Sequence, residues 1–343
     1  MILAAIKLPI CNPLVRGYLH HAYQLSILGN YEKAKPWIFM NYIQLVSETG
    51  LSPFPVQFYL PDGQGYNWSI LSPCFEYQFV TRDFIMRHGL DVLDIVRDAI
   101  GSGYYVYTYV NERHIPGKDA HVKGRDFNHM MMLHGMDDEE GLVFFWGYAQ
   151  GGAYVEGSAT FEQWRQAYLD NRHHFALFED RLYLLKMRED EGFVLKLDLA
   201  SVIQDLTCLR DAKQVARNVL DCHEQMPCVY GLDVYDKLVS SHRNTNDHWC
   251  TLRSLHLLME HKQVMVERLR YIQSLYPRPD LSRFASRYGE LGKELQILRN
   301  LVLKSSMTGN PFHAGKLEAA LNRIREKEHR ELTQLIDALA AAV

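Results

Sequence analysis

The hydrophobic period of this chain changes near residue 197, and that change limits the possible folds more than any other feature. Before it, short runs rich in β-formers alternate with amphipathic segments. After it, Leu, Ile and Val recur at three- and four-residue steps to the end. The period predicts helices over 199–216 and 234–240. Three long ones follow over 247–275, 281–304 and 316–339, separated by Pro277-Arg-Pro279 and Gly309-Asn-Pro311, as in a helical bundle. The expected class is α+β, with an α/β domain over 1–190 and a mostly helical domain over 191–343. A chain of 343 residues fits two domains and a sizeable core.

In the first half, residues 1–10 read as a short strand, and Tyr18–Leu28 as a helix ended by Gly29-Asn30. The aromatic run 36–46 fits either a strand or a buried helix, and Phe54–Leu60 fits a strand before the turn 61–65. Residues 66–80, with Trp68 and Cys74, show no clear period. Asp83–Ile100 predicts one amphipathic helix, stopped by Gly101-Ser-Gly103. Tyr104–Val110, apolar on both faces, predicts a central strand. A polar loop over 111–125 leads to a hairpin of Phe127–Leu133 and Leu142–Trp146, then to a short helix over 160–168 capped by Thr160 or Ser158. Strands are expected at Arg181–Met187 and Phe193–Leu197.

Composition narrows the function classes. Charged residues make up 23% and the formal charge is −4, which argues against nucleic acid as a partner. No run of 18 uncharged apolar residues predicts a membrane span, and the N-terminus lacks the basic start of a signal peptide. Six scattered cysteines are too sparse for a disulfide scaffold, so the cytoplasm is the expected compartment.

The chemistry centres on Phe127-Asn128-His129-Met-Met-Met-Leu-His134-Gly135-Met-Asp137. This stretch is similar to the histidine strand of papain-like, bacteriocin-processing peptidases. Gly17-Tyr18-Leu-His20-His21-Ala resembles the first-helix segment of the butirosin biosynthesis protein H family, and Val229–Tyr235 also looks like that family. The resemblance spans residues 12–240. It implies a papain-like N-terminal domain and acyl transfer in natural-product (nonribosomal peptide-type) biosynthesis. The implied partners are an acyl or peptidyl carrier protein or synthetase, and a small-molecule amine or peptide substrate; no cofactor is implied. In that fold a thiolate at a helix N-terminus faces an imidazole on a strand.

This chain departs from that pattern where the nucleophile belongs, because His20 and His21 occupy the place of the cysteine. The third member is expected near 145–150, where Phe145-Trp146-Gly-Tyr148 offers none and only Gln150 is near. Two alternatives follow. Cys11 could enter the nucleophile position, giving a cysteine hydrolase, with Cys74 as the other thiol. Otherwise no covalent intermediate forms, and His129 with His20 or His21 acts as base on an already activated thioester, worth on the order of 10²–10⁴-fold. Asn128, Tyr18 and Trp146 are candidate substrate contacts. The expectation common to these readings is that His129 and the N-terminal half of the first helix meet across a cleft. A third reading is a catalytically degenerate papain-like fold kept as a docking module.

Blander roles compete for the same residues. His134, Asp137 and Asp138 fit turn positions, Met130–Met132 fits core packing, and Cys74 fits a core thiol. Cys222, His223, Cys228, His248 and Cys250 match no common zinc spacing. His20, His21 and His129 lack a carboxylate that would support a metal site, so none is expected. Gly151-Gly152 is followed by no phosphate-loop lysine. The three C-terminal helices offer either a lid or a homodimer interface.

Overall fold

The computed structural model describes residues 5–48, 56–60, 72–171, 180–190, 192–215, 228–245, 247–309 and 312–341. The chain is a mixed α+β protein with a helical C-terminal region. It forms two compact units, Met1–Glu32 with Gly65–Val194, and Lys33–Gln64 with Leu195–Val343. The boundary expected at 190 falls close to 194, but the division is not sequential. Residues 33–64, expected in the first domain, belong with the C-terminal helices.

The first unit is built on a seven-stranded sheet. Its strands are β1 (Ile6–Lys7), β4 (Phe75–Thr81), β5 (Tyr105–Asn111), β6 (Asn128–Asp137), β7 (Leu142–Tyr148), β8 (Tyr154–Thr160) and β9 (Arg181–Met187). The order is β4-β9-β5-β6-β7-β8, with β1 added to the far end of β6. Every residue of β5 is buried, as the two-faced apolar run predicts for a strand flanked on both sides. Opposed residues of antiparallel strands share a face. The register Val110↔His129, Thr108↔Met131 and Val106↔Leu133 therefore defines one face, and Tyr109↔Met130 and Tyr107↔Met132 the other.

Helices α4 (Val92–Gly101) and α6 (Phe161–Leu169) bury Val96, Ile100, Trp164 and Ala167 in the core on the Val110/Met131 face. Helix α1 (Leu19–Leu28) lies on the opposite face, where the Tyr23 ring stands edge-on to Tyr107 at 5.8 Å. The helix expected over 83–100 is two, α3 (Arg82–Arg87) and α4, because Gly89 adopts a positive φ and Asp91 caps a fresh start. Ser158 lies inside β8, so Thr160 alone caps α6, through a capping box with Gln163. Residues 193–197 form no strand; β9 pairs instead with β4 and β5. The 61–65 turn and Trp68 lie outside the described residues.

In the second unit, the run 36–46 proves to be both a helix and a strand, α2 (Lys35–Met40) then β2 (Leu45–Glu48). β2 joins β3 (Gln57–Phe58) and β10 (Cys228–Tyr230) in a small sheet. Helices α7 (Leu199–Arg210), α8 (Val234–Thr245), α9 (His248–Leu275), α10 (Ser282–Met307) and α11 (Ala314–Ala340) follow the predicted period closely. Arg268 of α9 is wholly buried and donates to the carbonyls of Phe39 and Tyr42, each at 2.7 Å. It thereby satisfies acceptors that the end of α2 leaves open. Beside it, Lys262 Nζ lies 2.5 Å from Glu328 Oε1 and 3.0 Å from His261 Nδ1, and Tyr235 donates to Glu328 Oε2 at 2.7 Å. No helix among the described residues is long and apolar enough to cross a membrane.

Candidate functional site

Strands β6 and β7 diverge at one end of the sheet. Their pairing runs from Asp137↔Leu142 to Met132↔Trp146 and stops, while His129–Met131 continue against β5 alone. The divergence exists because other groups occupy the space. Tyr23 reaches it from α1 and donates its hydroxyl to Met130 O at 3.1 Å. Lys118, which directly precedes the short helix α5 (Asp119–Val122), donates to Tyr148 O at 3.0 Å. Gly147 makes this possible, since a Cβ there would lie 2.8 Å from Lys118 Nζ and 3.4 Å from the Tyr23 hydroxyl oxygen.

His129 stands at the edge of this gap. Its Nδ1 lies 3.2 Å from Glu112 Oε1, and the side chain is 32% exposed while that of Glu112 is 8% exposed. Glu112 opens the 3-10 turn Glu112–His114 that ends β5, and Val110↔His129 pairing brings that turn alongside. A carboxylate on Nδ1 fixes the tautomer and orients the ring, so that Nε2 becomes the atom available for proton transfer. Lys118 Nζ lies 3.4 Å from the same Oε1 and is almost fully buried. Burial alone would raise the Glu112 pKa. The hydrogen bond and charge of His129, joined by those of Lys118, reverse that and hold the carboxyl below its ordinary value. Burial draws the Lys118 amine below its ordinary value against the opposing pull of Glu112. Burial also pushes the Tyr23 phenol well above its usual range, helped by Tyr154 and Glu112, which leaves it a donor.

The other residues singled out in the sequence are arranged differently. Among the described residues, the partners of His129 are Glu112 and the Phe127 ring, 5.0 Å away. The expected meeting of His129 with the N-terminal half of the first helix is not found among the described residues; Tyr23 of that helix donates instead to the backbone of Met130, next to His129. His20 and His21 instead form their own stack with Tyr18. The Tyr18 and His20 rings are parallel at 5.6 Å and the two imidazoles lie 4.2 Å apart. His21 is wholly buried, and burial, followed by the neighbouring His20, pushes its pKa well below the imidazole norm.

Cys11 is held at the C-terminal end of α1, donating to Leu25 O at 3.6 Å, and burial pushes its pKa up. The helix dipole there disfavours a thiolate, the reverse of what a nucleophile needs. Trp146 pairs across from Met132 and so projects from the face opposite His129, with its ring 5.6 Å from Tyr154. Asn128 has no hydrogen-bond partner for either side-chain amide atom among the described residues, and neither has the buried Gln24 of α1. Such orphaned amides are what a bound polar ligand satisfies.

His134 is an interior residue of β6 rather than a turn residue, with Nδ1 3.2 Å from Leu8 O. Asp137 accepts from the turn amides of Glu139 and Glu140, and Asp138 pairs with Arg97 at 3.0 Å. Cys74 is a buried core thiol. Cys222 and His223 lie outside the described residues. Cys250 contacts Asp247 at 3.0 Å, and no group of three metal-ligating side chains occurs among the described residues.

Glu112, Lys118 and Tyr23 are the members that sequence reasoning missed. The resembling family's pattern places a third group on the strand after the histidine, whereas here the carboxylate comes from the 3-10 turn that follows β5. Its signal was available: an acidic residue directly after the central strand that the histidine strand must pair with. In comparison with known proteins, no family model and no curated protein matches the chain.

Proposed function

We propose that the first unit is an acyl-transferring, amide-forming enzyme in which His129 is the general base and Glu112 its orienting carboxylate. The observation that carries this reading is the Nδ1–Oε1 contact of 3.2 Å on a ring that is one-third exposed. An imidazole held this way takes a proton from an amine as its nitrogen attacks a thioester carbonyl. The C–N bond forms, the C–S bond breaks, and the proton passes to the departing thiolate. The thioester is already activated, so base catalysis and orientation suffice without a covalent enzyme intermediate. The position of Cys11 at the wrong end of α1 favours this route over a cysteine hydrolase. A papain-like relationship for the fold, a carrier-bound or small peptide-like acyl donor and a cytoplasmic setting complete the proposal.

The test is turnover of an N-acetylcysteamine thioester with a primary amine, followed by thiol release. His129→Ala is expected to lower the rate by about 10²–10⁴-fold with an unchanged melting temperature. A variant as active as the parent would remove His129 from the mechanism. No turnover by the parent protein with any thioester, together with tight binding of a carrier protein, would favour the docking-module reading. That alternative draws on the lack of a thiol partner for His129 among the described residues.

A further inference from the structure

We propose that Lys118 is a positioning residue for the His129–Glu112 pair, and that it governs how firmly the carboxylate holds a proton on the imidazole. This deepens the reading above and rests on it for its place in catalysis. The geometry is specific: one oxygen, Glu112 Oε1, serves both His129 Nδ1 at 3.2 Å and Lys118 Nζ at 3.4 Å. In an ordinary histidine–carboxylate pair the full negative charge favours the imidazolium and makes the ring a stored acid. Here a cation shares the same oxygen. The oxygen that orients the ring divides its negative charge between two donors, His129 Nδ1 and Lys118 Nζ.

The amine cannot easily serve another purpose. Its side chain is 3% exposed and it also donates to Tyr148 O. It lies over the Phe145 ring, 5.2 Å from the centroid, and in the space that Gly147 leaves open. Among the described residues, the titratable groups around it are Glu112 and His129 on the sheet end and Tyr23 from α1. Tyr107, Tyr148 and Tyr154 act electrostatically on Tyr23 in turn. Towards solvent, Arg125 stands over the Phe127 ring beside His129. Among these, Glu112 is the group that touches both the ammonium and the imidazole.

Carbethoxylation by diethyl pyrocarbonate, which attacks neutral imidazole, reads the ring without needing a substrate. The intact chain would be treated across a pH series and the modification of His129 measured by peptide mapping. Lys118→Met is expected to move the half-maximal pH for His129 upward by about one unit or more, the size expected of one nearby charge. Lys118→Arg is expected to leave it in place, and Glu112→Gln is expected to move it the other way, downward. An unmoved midpoint in folded Lys118→Met would overturn the proposal. Should that variant fail to fold, Glu112→Gln alone decides: the midpoint falls if the shared oxygen acts on the ring, and an unchanged midpoint overturns the assignment. Because this measurement follows the ring rather than turnover, its outcome is separable from that of the thioester assay.

Discussion

Glu112 Oε1 has two claimants, an imidazole and an ammonium, and the space in which they meet exists because residue 147 has no side chain. Gly147→Ala is expected to displace Lys118 Nζ or the Tyr23 hydroxyl and to cost about 1–3 kcal/mol, as overpacking of a filled interior does. Urea denaturation of the two proteins checks this; equal midpoints would mean that the amine does not occupy that space. At this scale the sequence was partly legible. The position of His129 near the start of a strand was readable from its motif, and the turn roles of Asp137 and Asp138 from their neighbours. Glu112 and Lys118 were not, because their roles depend on which strand lies beside β6 and on where β7 leaves it. Both facts are long-range pairings with no local signature.

Among elements, α1 shows how polarity decides chemistry. Its N-terminal turn carries the stacked Tyr18 and His20, and its C-terminal end holds Cys11 against Leu25 O. The cysteine is thus at the negative pole of the helix. Iodoacetamide at neutral pH is expected to label Cys11 no faster than a thiol in an unfolded peptide, as measured by peptide mapping. A fast-reacting Cys11 would return the thiolate to consideration. The long helices α9, α10 and α11 were readable almost to their ends, because amphipathic period and bounding prolines are local properties. The break at Gly89 and the extra strand β8 were hidden. A glycine at positive φ inside an apolar pattern looks like a tolerated helix residue, and Tyr154–Thr160 has no alternation of its own.

For the molecule as a whole, the second unit depends on charges sealed from water. Lys262, Glu328 and His261 are wholly buried, and each polar atom named there has a partner. Removing one member leaves the other charge uncompensated. Glu328→Gln is therefore expected to cost about 3–5 kcal/mol, whereas Lys262→Met with Glu328→Leu recovers most of it. Chemical denaturation of both variants checks the comparison, and a cost below about 1 kcal/mol for Glu328→Gln would show that water reaches the pair.

The membership of residues 33–64 in the second unit also bears on biosynthesis. Phe39, Tyr42 and Ile43 leave the ribosome early, yet the arginine and histidine that bind their carbonyls come from α9, some two hundred residues later. The early segment must wait, its acceptors hydrated, until α9 has been made. A chain cut after residue 190 would keep this segment and never receive the helix that covers it.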